Sequence, residues 1–509
     1  MNPPSLQKTA LTVALKIALA TGLFAAHPAN AETSTSQIHN QHGNHEIASP
    51  MQTTKKLKEK LKPSSKNFII YDQSVIAIHN VTLVDGTGSP AKHNQTLVMT
   101  NGNISQVGDS KHVKIPEGAV QIDGQGHTII PGLVMMHEHM FYPTGKANYT
   151  EMLYSFPRLY LAGGATTIRT AGTTAPYADL SLKDAIQSGK TIGPDMDVTA
   201  PYLNGPGLPI LKMKPLRDVE NAKTMMKYWI SEGVTSYKAY MHIRQDELAA
   251  VIQQAHKQDH KVTAHLCSIT YREAAELGID NLEHGFFAAT DFVKDKEKNK
   301  CPSNAHQSLV DLDINSKEVD DLIALLIEKD VTLTSTLTVF ETLTKGRPKA
   351  YPKALDALIH QVRDQYESRW EKIAAQENAT WPIVFDKMMK LEKKFVEAGG
   401  KLMAGTDPTG YGGVIAGFSN QRVVELLVEA GFTIEQAVQI SSLNAAKYLE
   451  REQTIGSLTV GKRADLVLLQ GDLSQDVSAI QQMKVVFKQG KGYDSEAIIA
   501  DTKAVVGLH

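Results

Sequence analysis

The sequence predicts an α/β protein, a (β/α)8 TIM barrel beside a small β-sandwich built from both chain ends. Three observations lead there. Strand-like and helix-like patterns alternate over about 330 residues in the middle of the chain. Short strands separated by turn signals flank that stretch on both sides. Histidines, a lysine and an aspartate recur at the ends of the apolar runs, where barrels of this kind keep their active sites.

The elements follow in order. Residues 1–31 read as a signal peptide: Lys8 and Lys16 give a positive start, 17–26 is apolar, and Ala29-Asn30-Ala31 is an A-x-A cleavage site. Cleavage there leaves Glu32 first in a periplasmic or secreted chain. A short membrane anchor is the alternative, although the run is short for a span. Residues 32–65 form a polar linker carrying His39, His42 and His45. It is either plain solvated chain or a zinc-scavenging tract.

Residues 66–125 and 455–500 make up the β-domain. Its strands are expected at 74–78, 81–84, 95–100 and 103–107, with Asp85-Gly86 and Asn101-Gly102 as turns, and again at 466–469 and 484–488. Residues 126–454 hold the barrel. Strand one closes PGLVMMHEH at His137 and His139. Strands two to eight are expected at 166–169, 195–199, 236–240, 261–265, 281–284, 331–337 and 401–404. A long helical insertion, 340–394, carries Trp370 and Trp381. It is either a lid over the site or an outer packing element.

Composition narrows the partners. The formal net charge is −2 and 21% of residues are charged, so no basic field calls for nucleic acid. After signal cleavage no further segment calls for a membrane. A small-molecule amide or peptide is the expected partner, and a homo-oligomer is compatible with the sequence. Two cysteines, Cys267 and Cys301, exclude a disulfide framework. They form one bridge or stay free.

His137 and His139 are one residue apart on a strand, so both imidazoles share a face and reach one ion while Glu138 points away. His265 and His284 each close a strand; alone, either reads equally as a satisfied core histidine. Asp407 in AGTDP reads alone as a turn or cap residue. Lys238 lies in a strand with little polar company, and a buried lysine demands a partner. A metal pair meets that demand if the amine is carboxylated, with one carbamate oxygen per ion.

VTLVDGTGSP, PGLVMMHEH, GGATTIRTAG, GVTSYKAY, VTAHL, NLEHG, AGTDP and GSLTVGKRADLVLL follow one another along the chain. In this order they resemble the amidohydrolase superfamily, in its binuclear, carboxylated-lysine branch. Within that branch it is similar to secreted prolidase-like and imidazolonepropionase-related members. The resemblance implies two divalent ions, usually Zn2+, and carboxylated Lys238. It implies that His137, His139 and Asp407 hold the more buried ion, His265 and His284 the other, with Lys238 bridging. Two positions depart from many relatives: Thr170 follows Arg169 where an Asp is common, and 417–421 reads GFSNQ where a His is common.

The expected activity is hydrolysis of an amide, peptide-like or of an N-acyl amino acid. Two ions share one hydroxide, which attacks the carbonyl, and Asp407 carries its proton to the leaving amine. Tyr240, two residues past Lys238, is a candidate substrate contact or a barrel-packing residue. Arg169 is a candidate carboxylate binder or a structural ion pair. Two alternatives remain at this point. A mononuclear deaminase or cyclic-amide hydrolase places Glu three residues after the fifth-strand His, where this chain has Ser268. A non-catalytic exported zinc-binding protein has no need of Asp407.

Overall fold

The computed structural model describes residues 63–145, 148–208 and 212–508. The expected signal peptide and the linker as far as residue 62 lie outside the described residues. Residues 63–65, the end of that linker, begin a helical turn, Pro63–Lys66.

Eight parallel strands follow one another in chain order, three in one sheet and five in another. The first three are Leu133–Glu138, Ala165–Thr170 and Asp195–Asp197. The other five are Ser236–Ala239, Lys261–Ala264, Asn281–Glu283, Thr332–Ser335 and Leu402–Ala404. Nearly every residue in them is buried, which explains the unbroken apolar runs: parallel strands are covered on both faces. Parallel bridges Thr199–Ser236 and Leu203–Ala239 join the two sheets. At the other side the eighth strand meets the first. The Thr406 and Asp407 amides both donate to the His137 carbonyl, at 3.1 and 2.9 Å. Only glycine fits before them, because a Cβ on Gly405 would stand 2.3 Å from that of His137.

Helices between the strands start where capping residues allow. Asp218 accepts from the Asn221 amide, and Thr270 forms a reciprocal box with Glu273. The seventh strand is shorter than expected. It ends at Ser335, and Leu337–Glu341 is already helical. The insertion is helical as expected, in Pro352–Ala357, His360–Ala374 and Trp381–Glu397.

Both chain ends join one nine-stranded sheet. One seam is Leu466–Gln470 against His127–Pro131, antiparallel, with Val467 opposite Ile130, and another is Ile69–Tyr71 against Lys491–Asp494. The two strands expected at 74–78 and 81–84 are one, Val75–Leu83, with a register shift between Ile78 and Val81. Asn80 sits there in the left-handed region (φ 58°), which asparagine tolerates. Ile76, Ile78, Leu97, Leu466 and Phe487 share a separate apolar core on this sheet. An ionic cluster ties it to the parallel strands. Asp195, on the third of them, accepts from Arg463 at 2.7 Å, Lys488 at 2.8 Å and Arg451 at 3.2 Å.

Candidate metal centre

Each predicted ligand stands at the carboxyl end of a parallel strand, and all six line one cavity of about 230 Å³. His137 is the fifth residue of its strand and His139 follows its end. Lys238 lies within Ser236–Ala239, while His265, His284 and Asp407 stand just past theirs. The imidazoles touch one another: ring centres are 4.7 Å apart for His137–His284 and 4.4 Å for His265–His284. One Asp407 oxygen is 3.2 Å from His139 Nε2 and 3.6 Å from His137 Nε2. Ligand atoms of His137, His284 and Asp407 lie within 4.8 Å of one another. His284 (φ 69°) and Asp407 (φ 53°) have left-handed backbones, the local strain that functional sites retain.

Three of the four histidines are fixed from their other side. His137 Nδ1 is 2.8 Å from Glu283 Oε2, His139 Nδ1 is 3.1 Å from the Gly172 carbonyl, and His284 Nδ1 is 2.7 Å from Thr336 Oγ1. Such partners orient an imidazole and leave its second nitrogen for an ion. Burial pushes His265 down to about 3, helped by the Lys238 ammonium, and also holds His139 and His284 below the usual imidazole range. These three rings are therefore neutral and able to coordinate. Burial works against charge on His137 too, but the Glu283 and Asp407 carboxylates outweigh it and raise its pKa. Burial alone would raise Asp407. The His137 imidazole beside it, whose own pKa is raised, leads the neighbours that hold its carboxyl well below the usual range instead.

Lys238 tests whether the residues fit a metal. Its side chain is 1% exposed, and its Nζ has no hydrogen-bond partner among the described residues. The nearest carboxylate oxygen, of Glu283, is 3.5 Å away. Burial pushes the amine down to about 8, against that carboxylate. An ammonium left so poorly paired, facing neutral imidazoles and a carboxylate, fits a site completed by cations and a carbamate.

Tyr240 also lines the cavity. Its ring packs 4.9 Å from Tyr202 and 5.1 Å from His265, so packing and substrate contact are compatible there. Arg169 is a different case. It was a candidate carboxylate binder, but it is 1% exposed and is absent from the cavity lining. Its guanidinium donates to the Met136 carbonyl, Asn281 Oδ1 and Glu283 Oε1 at 2.9, 2.9 and 2.7 Å. Its Nε and Nη2 are thus engaged inside the protein, the arrangement of a structural ion pair with Glu283. Ser268, where a deaminase would need Glu, donates to the Ile243 carbonyl. Cys267 and Cys301 are bridged, with Cα atoms 4.8 Å apart.

Several contributors escaped the sequence reading. Glu283 and Asn281 alternate on one strand face, which was the available signal. The hairpin Phe141–Gly145 with Asn148–Glu151 brings Phe141 and Tyr149 into the wall. Phe340, from the start of the insertion, completes it, with Trp381 stacked behind at 6.0 Å. Glu138 points away as expected, and Thr406 and Asn420 donate to it. Asn420 lies within the divergent GFSNQ stretch.

Buried imidazoles, a carboxylate and a lysine at the ends of parallel strands define a hydrolase-type metal site. The chain belongs to the amidohydrolase family, whose sequence profile matches residues 128–492. It is 24% identical to human dihydropyrimidinase-related protein 5 over 420 residues, 77% of this chain and 70% of that one. It is 26% identical to imidazolonepropionase of Psychromonas ingrahamii over 146 residues, 28% of this chain and 35% of that one. Among solved structures, a Xaa-Pro dipeptidase with bound methionine matches with a TM-score of 0.62 at 21% identity, over 83% of this chain and all (100%) of that one. Bottromycin amidohydrolase matches at 0.64 and 16%, over 88% and 96%. At such identities these two structures speak to the fold alone.

Proposed function

We propose that the chain is a metal-dependent hydrolase of an amide bond, peptide-like or of an N-acyl amino acid, with Asp407 as its proton carrier. The observation that carries this reading is the poorly paired Lys238 amine inside a ring of His137, His139, His265, His284 and Asp407. His137, His139 and Asp407 would hold one divalent ion, His265 and His284 a second, with Lys238 as a carbamate between them; zinc suits this donor set. Such ions, when bound, supply Lewis acidity and lower the pKa of water to about 7.

The chain's own residues supply the rest. Asp407, kept ionised by the imidazoles around it, accepts a proton at a carboxylate oxygen and returns it to the departing amine. Tyr240 offers a phenol to the carbonyl oxygen or a substrate carboxylate. Phe141, Tyr202 and Phe340 exclude water from the reacting amide. The same reading takes the eight strands as a closed barrel beside a β-sandwich. It also places the mature chain in the periplasm or outside the cell; the Cys267–Cys301 bridge favours an oxidising compartment.

Metal analysis and a panel of dipeptides and N-acyl amino acids test the reading. Two ions per chain are expected, with turnover on at least one amide. Asp407→Asn should lose roughly 100-fold or more in kcat, because a neutral amide cannot take the proton. One ion that persists in excess metal, or near-normal turnover in Asp407→Asn, would falsify it.

A further inference from the structure

A second cavity, of about 310 Å³, adjoins the catalytic one. Thr174, Tyr202 and Met213 line both, so a single layer of side chains separates them. The outer cavity lies along the segments after the second and third parallel strands, on the carboxyl-end side where the ligands stand.

The two cavities differ in chemistry. Among the described residues, the inner one has no basic side chain besides Lys238 and the clustered histidines. Besides Asp407, its other polar side chains are the neutral hydroxyls of Tyr149, Tyr202, Tyr240, Thr174 and Thr409. A carboxylate adjoining the scissile amide therefore finds no side-chain cation to pair with, and burying it unpaired is costly. The outer cavity presents aromatic and thioether surface. Tyr177 and Trp229 pack with ring centres 5.2 Å apart, and Met213 and Met225 adapt to an apolar guest. Tyr177 is 51% exposed, and its neighbour Tyr228, hydrogen-bonded to it, is 46% exposed. Large aromatic surface left open beside a catalytic cavity fits a guest ring. The rim carries Lys212 and Lys214. Lys212 is held by Glu151 at 3.0 Å, whereas Lys214 is exposed and has no ion pair among the described residues.

We propose that this outer groove is a second subsite. It takes the distal aromatic residue of a peptide longer than a dipeptide, whose terminal carboxylate meets Lys214. The inference rests on the amide-hydrolase reading of the inner cavity and names the substrate class for it. Tyr202 and Met213, shared by the two cavities, then contact the link between the scissile amide and the distal ring.

Calorimetric binding to the full mature protein, without added metal, separates this from the hydrolase reading. Three probes suffice: N-acetyl-Ala-Ala-Phe, its C-terminal amide, and N-acetyl-Ala-Ala-Ala. The Phe peptide with its free carboxylate should bind roughly tenfold tighter than either of the others. Tyr177→Ala should erase the preference for Phe over Ala, and Lys214→Gln the preference for acid over amide. Both side chains are exposed, and thermal unfolding verifies that the variants fold. Equal binding of the three probes, or preferences unchanged in both variants, overturns the subsite. Preferences intact in a protein that cleaves no amide would instead sink the hydrolase reading and leave the groove standing.

Discussion

His137 Nδ1 and Glu283 Oε2 lie 2.8 Å apart, and through that contact the floor of the site is set from inside the strands. Glu283 faces three basic groups. Arg169 is 2.7 Å from its other oxygen, Lys238 is 3.5 Å from that same oxygen, and His137 completes the set. Burial alone would raise the Glu283 pKa. The Lys238, His137 and Arg169 charges instead hold it well below the usual carboxylate range.

Glu283→Gln keeps the volume and removes the charge. Arg169 is then buried without a counter-ion, so the variant should lose about 3–5 kcal/mol of stability. Glutamine has one carbonyl oxygen where Arg169 and His137 need two. With that oxygen toward Arg169, its NH2 faces His137 Nδ1, which loses the acceptor that fixes its tautomer, and metal affinity should fall roughly 10–100-fold. Urea unfolding and metal titration measure the two effects separately. A variant as stable as the parent would show that the Arg169–Glu283 pair does not matter to the fold.

Much of this was legible in the sequence because it is local. The i, i+2 spacing of His137 and His139 follows from strand geometry, and the order of ligand types along the chain follows from successive strands. Glu283 and Arg169 were not legible in the same way. Their roles depend on residues from separate strands meeting inside the protein, and Arg169 reads identically as substrate binder or internal ion pair until its partners are seen. The hairpin that supplies Phe141 and Tyr149 carries little sequence signal, because Pro143 and Gly145 interrupt its first strand. The sequence divides 74–84 into two strands at His79-Asn80, whereas left-handed Asn80 lets one strand continue through it.

Lys238→Ala removes the amine that would bridge two ions. Metal content should drop by at least one ion per chain and turnover should be lost, while the strand survives, since alanine fits a buried strand position. Added bicarbonate or a short carboxylic acid should restore part of both by filling the carbamate's place. Elemental analysis with and without the additive checks this. Full metal content in Lys238→Ala would remove the lysine from the ligand set.

Acid should loosen the join between the parallel strands and the nine-stranded sheet. Burial alone would raise Asp195, but the Lys488, Arg463 and Arg451 charges hold it far below the usual carboxylate range. Its folded pKa thus lies under the unfolded value of about 3.9, and the unfolded chain binds more protons in that window. The contribution is complete above about pH 4 and is lost as pH falls toward the folded pKa. Asp195→Asn should therefore be less stable at neutral pH and show a shallower acid limb. Parallel limbs in the two proteins, followed by circular dichroism from pH 6 to 2, would rule this cluster out as an acid-sensitive join.

The Cys267–Cys301 bridge makes a prediction that separates fold from site. It spans 34 residues, and Cys267 lies two residues past His265. The bridged segment is also held by hydrogen bonds: Thr290 Oγ1 donates to the Cys267 carbonyl at 3.2 Å, and Lys296 Nζ to that of Ser268 at 2.7 Å. Removing the bridge frees a loop of that length in the unfolded chain, a loss of about 3–4 kcal/mol by the chain-entropy account. His265 itself is placed by Lys261–Ala264, which is paired to parallel strands on both sides, so the ligand should keep its position. Cys267→Ser with Cys301→Ser should accordingly lower the urea midpoint and leave metal content unchanged. The parent protein in reductant should match the double variant, with thiol titration confirming that the bridge has opened. Loss of metal on reduction would mean that the bridge positions His265 directly, and an unchanged midpoint would mean that the hydrogen bonds alone hold the segment.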